Sequence, residues 1–447
     1  MKREISLQTR REFLRTTMLG SALSWTVPVF VADTLAALQS QAAAAATPAV
    51  TGKDANILVV LQMAGGNDGL NTLVPFANDF YHRARPKLGL SAEHVLKLND
   101  QVGLHESLTG LKDLYDSGCL AVVQGVGYPN PNRSHFRSTE IWQTASDSGR
   151  VEKYGWLGRY FDNACAGCDP TVAVTIGSQL PEAFFAKNPK GICFTNPNQY
   201  RFLAGDPVRA GETNLTEMTY ERMNAVEMAA VSADENSGGT IGSLPAGMPM
   251  QGGSAAEFIE RTALDAQVSS DQVRNIAARF ENQATYPVSP LGNALKLVAK
   301  LIGGGLSTRI YYVSQGGYDT HTNQLGTQQR LLKDLGDSVQ ALVTDLKVQG
   351  NLSRVLVMTF SEFGRRVAEN ANGGTDHGAA APLFVVGGKV KAGLLGTYPG
   401  LAPQDLFQGD LRYTVDFRCV YASILEQWLK TVSAPVLGRR FEPLPVV

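Results

Sequence analysis

Five short polar stretches carry side chains able to hold a cation or attack an ester. Gly316-Gly-Tyr-Asp-Thr-His321 sets a carboxylate and an imidazole two residues apart, so on extended backbone Asp319 and His321 point the same way, as two ligands of one metal ion require. A structural Asp-His hydrogen bond would use the same spacing. Gly373-Gly-Thr-Asp-His-Gly378 offers Asp376 and His377 in a loop bracketed by glycine, which a backbone or an ion can approach closely. Ser361-Glu-Phe-Gly-Arg365 presents Glu362 and Arg365 at the corner where an apolar run ends, and Gly65-Gly-Asn-Asp-Gly69 presents Asp68, although Asn-Asp-Gly is also ordinary turn chemistry. In Arg133-Ser-His135 the serine stands where a helix over 136–144 would begin. There Ser134 can cap free amides, or act as a nucleophile at the positive helix end with Arg133 and Arg137 nearby for an oxyanion. Both readings stay open. Three of the six histidines, His135, His321 and His377, thus sit at candidate sites, while His82, His94 and His105 lie in ordinary helical or loop context.

The elements that must position these residues are apolar runs rich in β-branched side chains. They cover residues 56–64, 120–124, 172–176, 309–313, 355–360 and 382–386, and helical patterns at 104–117, 327–349 and 415–429 lie between or after them. Strands alternating with helices predict a doubly wound, mostly parallel α/β sheet with helices on both faces. Such sheets place ligand chemistry beyond the carboxyl ends of their strands. Four of the polar stretches follow an apolar run, those at 65 and 361 without a gap.

Composition narrows the function classes. In 447 residues, 40 Lys+Arg against 41 Asp+Glu leave a charge of -1, with no clustered basic face for nucleic acid. Residues 1–46 read as an export signal: Thr9-Arg-Arg-Glu-Phe-Leu-Arg15 precedes a weakly apolar segment broken by Pro28 and Asp33, then the small-residue run Ala42 to Ala46. Its removal takes away Lys2, Arg3, Arg10, Arg11 and Arg15 with Glu4, Glu12 and Asp33, and turns the charge to about -3. The leader implies the twin-arginine translocase as a partner and a periplasmic or secreted destination, with no membrane span in the mature chain. Residues 50–447 form the α/β domain, in which 205–290 read as a helical insertion around a Gly/Ser/Pro-rich loop. Cys165-x-x-Cys168 lacks the second pair a cysteine metal site would want, so a structural disulfide is expected, within the pair or to Cys193.

Taken together, the strings 61–71, 132–136, 316–321, 361–365 and 374–378, with the leader, resemble the bacterial domain of unknown function 1501 family, itself similar to the alkaline phosphatase and sulfatase superfamily. The resemblance implies a divalent metal, zinc, calcium, magnesium or manganese, and a phosphate or sulfate ester substrate, small or polymeric. By position it implies Ser134 as nucleophile, Asp319, His321 and His377 as one metal site, and Asp68 and Glu362, with Asp376 beside His377, as further ligands. Arg133 and Arg365 would neutralise the transferring group. Phe363 stands where the superfamily carries a histidine, which puts a second metal in question and leaves a catalytically degenerate binding protein of the same fold as the alternative. No Cys-x-Pro-x-Arg or Ser-x-Pro-x-Arg string exists for a formylglycine sulfatase.

Overall fold

The computed structural model describes residues 55–165, 168–188, 190–197 and 270–447. The 1–46 leader and most of the 205–290 insertion lie outside the described residues. Within them, β1 (Ile57–Met63) is buried along its whole length, which suits its unbroken apolar sequence: a strand covered on both faces has no polar side to alternate with. It pairs in parallel with β8 (Ile310–Gln315) and β9 (Val355–Phe360). Around these lie β5 (Leu120–Gly127), β6 (Ala173–Ile176), β7 (Ile192–Phe194), β10 (Ala381–Gly387) and β11 (Gly393–Leu395), in the order β11-β5-β10-β9-β1-β8-β6-β7, with β12 (Val415–Asp416) also on β5. Strands β2 (Leu73–Val74), β4 (Gly103–His105) and β3 (Val95–Lys97) form a separate small sheet.

One strand runs the other way. β10 is antiparallel to both β9 and β5. Its first residue, Ala381, is paired with Val126 near the end of β5. The loop before β10, which carries Asp376 and His377, therefore opens at the edge where β1, β8 and β9 finish.

Helices cover both faces of the sheet. On one, α3 (His135–Thr144), α4 (Trp156–Ala164) and α7 (Phe417–Ser423) close an aromatic core in which Trp142 stacks on Phe417 at 4.3 Å and Trp156 on Tyr421 at 4.2 Å. Leu58, Val60, Leu356 and Met358 enter the same core from the sheet. On the other face, α2 (Thr109–Asp116), α5 (Pro290–Gly303) and α6 (Gln324–Val348) pack on one another and on β5 and β8. Ser289 caps α5 by accepting from Gly292 N, and Pro290 opens its first turn, so both local signals agree with the helix start. The short helix α1 (Asp79–Ala84) delivers Arg85 at its end. The expected disulfide closes within the pair, Cys165 to Cys168, and Cys193 stays free. No helix among the described residues is long and apolar enough to cross a membrane.

Candidate metal centre

Three imidazoles meet one carboxylate at the strand edge. His321 Nε2 and His377 Nε2 each lie 3.1 Å from Asp319 Oδ1, and His135 Nε2 lies 3.5 Å from the same oxygen. The ligand atoms of His135, Asp319 and His377 all fall within 4.8 Å of one another, and His321 joins through Asp319 and through His377 Nε2 at 2.9 Å.

The back of each ring is held. His135 Nδ1 donates to Glu362 Oε1 at 2.8 Å, His321 Nδ1 to Asp376 Oδ1 at 3.1 Å, and His377 Nδ1 to the Arg133 carbonyl at 2.8 Å. A neutral ring that donates from Nδ1 has a bare lone pair at Nε2. Two such lone pairs 2.9 Å apart, beside a third on the buried and partnerless His135 Nε2, repel unless a proton or cation lies among them. A carboxylate or carbonyl behind a histidine, fixing its tautomer, is how proteins prepare metal-binding imidazoles. A four-coordinate ion with ligands at about 2.0–2.1 Å sets its donor atoms roughly 3.3 Å apart. Asp319 Oδ1 lies near that spacing from all three Nε2 atoms, and among the described residues His135, Asp319 and His377 are the set whose donors lie mutually close.

Asp319 is half exposed. Its partial burial alone would raise its pKa, but in the metal-free chain, with a proton among the rings, hydrogen bonds from Arg365 and His377 and the charges of Arg365 and His135 outweigh this and lower it to about 2. Asp376 is also lowered, through a hydrogen bond from Asn370 first and, against some burial, through His321 and the Arg366 charge.

The glycines before each site act by closeness. Gly65, at φ +120°, faces the backbone of the loop after β8 so tightly that a Cβ would stand 2.5 Å from Asp319 N. That approach lets one arginine stitch three loops. Arg365 donates to the carbonyls of Gly65, Gly66, Tyr318 and Thr375 and, at 2.7 Å, to Asp319 Oδ1. Its side chain is fully buried, so it faces the loops and Asp319 and leaves no edge for a substrate.

Two carboxylates expected among the ligands stand elsewhere. Glu362 lies behind His135, where its Oε1 also accepts from Gly65 N at 2.8 Å. Asp68 is fully buried and gripped through both oxygens by Arg85, at 2.5 and 2.9 Å, while Gln324 and Leu70 N donate to it as well. Asp376 sits behind His321, as Glu362 does behind His135. Ser134 is the N-cap residue of α3 and is exposed, with no capping bond from its side chain. Arg133 pairs with the buried Asp410 at 2.5 Å.

The family model of a protein of unknown function, DUF1501, matches residues 55–432. The chain is a DUF1501 protein. A comparison with curated proteins finds no significant match. Solved structures with a similar chain course include a protein of the alkaline phosphatase superfamily from Vibrio parahaemolyticus, at 8% identity and TM-score 0.35 over 93% of this chain and 78% of that one. A sulfatase from Pseudoalteromonas sp. reaches 10% and 0.37 over 87% and 70%. A phosphonate monoester hydrolase of Agrobacterium radiobacter reaches 10% and 0.35 over 87% and 78%. Identities this low carry no residue roles across.

In this DUF1501 chain, sequence reasoning set His135 at a candidate site without assigning it to the metal. Only packing supplies the link: Phe363, in place of an expected histidine, packs its ring 4.9 Å from His135 and 4.6 Å from His377. It forms an apolar wall for both rings.

Proposed function

We propose that the protein is an exported, metal-dependent hydrolase of phosphate or sulfate esters, built around a single ion held by His135, His321, His377 and Asp319. The observation that carries the reading is the convergence of three Nε2 atoms on Asp319 Oδ1, each ring fixed from behind by an acceptor. Three nitrogens with one carboxylate suit zinc, and argue against calcium or magnesium, which take oxygen ligands. Such an ion supplies Lewis-acid polarisation of an ester oxygen.

The chain's own residues do the rest. Ser134 stands between Arg133, whose carbonyl holds His377, and His135, and is exposed at the start of α3 with its hydroxyl not used for capping. In this reading Ser134 is the nucleophile, with the amides of the first helical turn and the Arg133 guanidinium drawing the charge that builds on the transferred group. Arg365 and Glu362 hold Asp319 and His135 at their stations, which keeps the donors preorganised. Export by the twin-arginine translocase completes the reading and rests on the leader string alone.

Metal analysis of protein purified without chelator, followed by a panel of phosphate, phosphonate and sulfate esters, tests this. One bound ion and turnover that Ser134→Ala removes without removing the ion are the expected results. Absence of both metal and hydrolysis would sink the proposal. A second reading, a metal-held binding module without turnover, is favoured by Asp68 and Glu362 being already engaged, which leaves two-metal phosphatase chemistry without its second set of carboxylates. Retained partner binding after His321→Ala and His377→Ala would select that reading.

A further inference from the structure

Beside the metal centre, two guanidinium groups share one buried carboxylate. Asp410 is almost wholly buried, and its Oδ2 accepts from Arg133 Nε and Nη2 at 2.8 and 2.5 Å while its Oδ1 lies 3.4 Å from Arg366 Nε. Arg366 Nη2 donates to the Gln408 carbonyl. Each guanidinium keeps its Nη1 without a hydrogen-bond partner among the described residues, and each side chain is 37% exposed. Two positive charges face one buried negative, with Asp376 near enough to feel the Arg366 charge, and the guanidinium pair is fixed at its inner edge and part-exposed at its outer one. Both arginines are tied to the imidazole cluster by backbone: the Arg133 carbonyl accepts from His377 Nδ1, and Arg366 N donates to the Asp376 carbonyl at 2.9 Å.

We propose that Arg133 and Arg366, splayed on Asp410, form an anion clamp that takes the tetrahedral phosphate or sulfate of the substrate, with Arg366 as its second arm and Asp410 as its positioning residue. The inference extends the ester hydrolase reading, yet its test does not need the metal. The sequence points to Arg365, the neighbour of Arg366, for this task, but Arg365 is buried and committed to four carbonyls and Asp319. A planar guanidinium with one edge bonded to a carboxylate is oriented for a second oxyanion on the other edge.

Calorimetric titration of the chelator-treated full chain with inorganic phosphate, and separately with inorganic sulfate, decides the matter. Wild type should bind at least one of the two, and Arg133→Gln and Arg366→Gln should each weaken that binding about tenfold, the scale of one charge-assisted hydrogen bond. Arg366→Lys, which keeps the charge and loses the fork, should fall between and serves if the glutamine variant does not fold. Asp410→Asn sharpens the test because it adds net positive charge: weaker binding supports a positioned clamp, and tighter binding means a diffuse basic patch and overturns it. Affinity unchanged in the arginine variants, or no anion binding by wild type, overturns it too. Because metal is absent throughout, failure of the ester hydrolase reading would show in metal analysis and turnover, and not here.

Discussion

Asp68 and Asp319 are both carboxylates in loops that follow parallel strands, yet they do opposite work. Asp68 is sealed, its two oxygens saturated by Arg85, Gln324 and a backbone amide, with no exposed side-chain surface. Asp319 is half exposed and faces three imidazole nitrogens that have no better partner. The first ties structure together, and the second leaves valence open. What separates them is the arginine. Arg85 takes Asp68 through two parallel bonds, whereas Arg365 gives Asp319 one bond and anchors its other donors on carbonyls.

The sharpest way to break the contrast is to remove each carboxylate's arginine or rings. Asp68→Ala leaves the Arg85 charge buried and unpaired, and should destabilise the fold by about 3–5 kcal/mol in denaturant titrations. Wild-type stability in that variant would show that the node holds nothing. His377→Ala should lower zinc affinity more than about 100-fold in competition with a chromophoric chelator, with the metal-free protein's stability changed by roughly 1 kcal/mol or less. A variant that keeps its zinc would remove His377 from the donor set. Glu362→Gln, which keeps the shape but weakens the hold on His135 Nδ1, should cost about 10–100-fold in zinc affinity, and the more exposed Asp376→Asn less. Equal losses would mean that both act only through charge.

The smallest effect is the acid limb. Asp319 titrates near 2 in the folded chain and at about 3.9 unfolded, so its ionised form stabilises the metal-free fold fully above roughly pH 4 and loses that effect as pH falls towards 2. Denaturation curves of wild type and Asp319→Asn should therefore differ at pH 5 and converge near pH 2, by a modest margin that salt reduces further. A constant gap across that range would assign the lowered acidity to something other than native contacts.

Much of this contrast could be read in the sequence, and its limits are physical. Apolar runs located β1, β5, β6, β8, β9 and β10, and the spacing in Asp319-Thr-His321 does turn both side chains to one point. Periodicity marks a strand but not its direction, so the reversal of β10 was invisible, although it alone brings His377 to the carboxyl edge. Asp68 looked like a ligand because its loop did. Its true partner, Arg85, follows an unremarkable helix and meets it only through burial. Arg365 and Arg366 are neighbours of the same type, and only packing tells which one is sealed and which one reaches water. Behind His135, Glu362 shows the same limit, since a ligand and the partner of a ligand have the same chemistry on paper.

The reversed strand also makes the cluster depend on a distant pairing. Asp319 and His321 are delivered by β8 and the loop after it, and His135 by the start of α3, but His377 arrives only when β10 slides between β9 and β5, more than 250 residues along the chain from β5. β10 meets β9 locally, but its other edge must find β5 across that long stretch of chain, a loop closure that costs entropy before its contacts repay it. A chain still lacking β10 in its sheet has neither the third ring of the cluster nor the carbonyl contact between Arg133 and His377, so capture of an ion by the full cluster would require this one pairing.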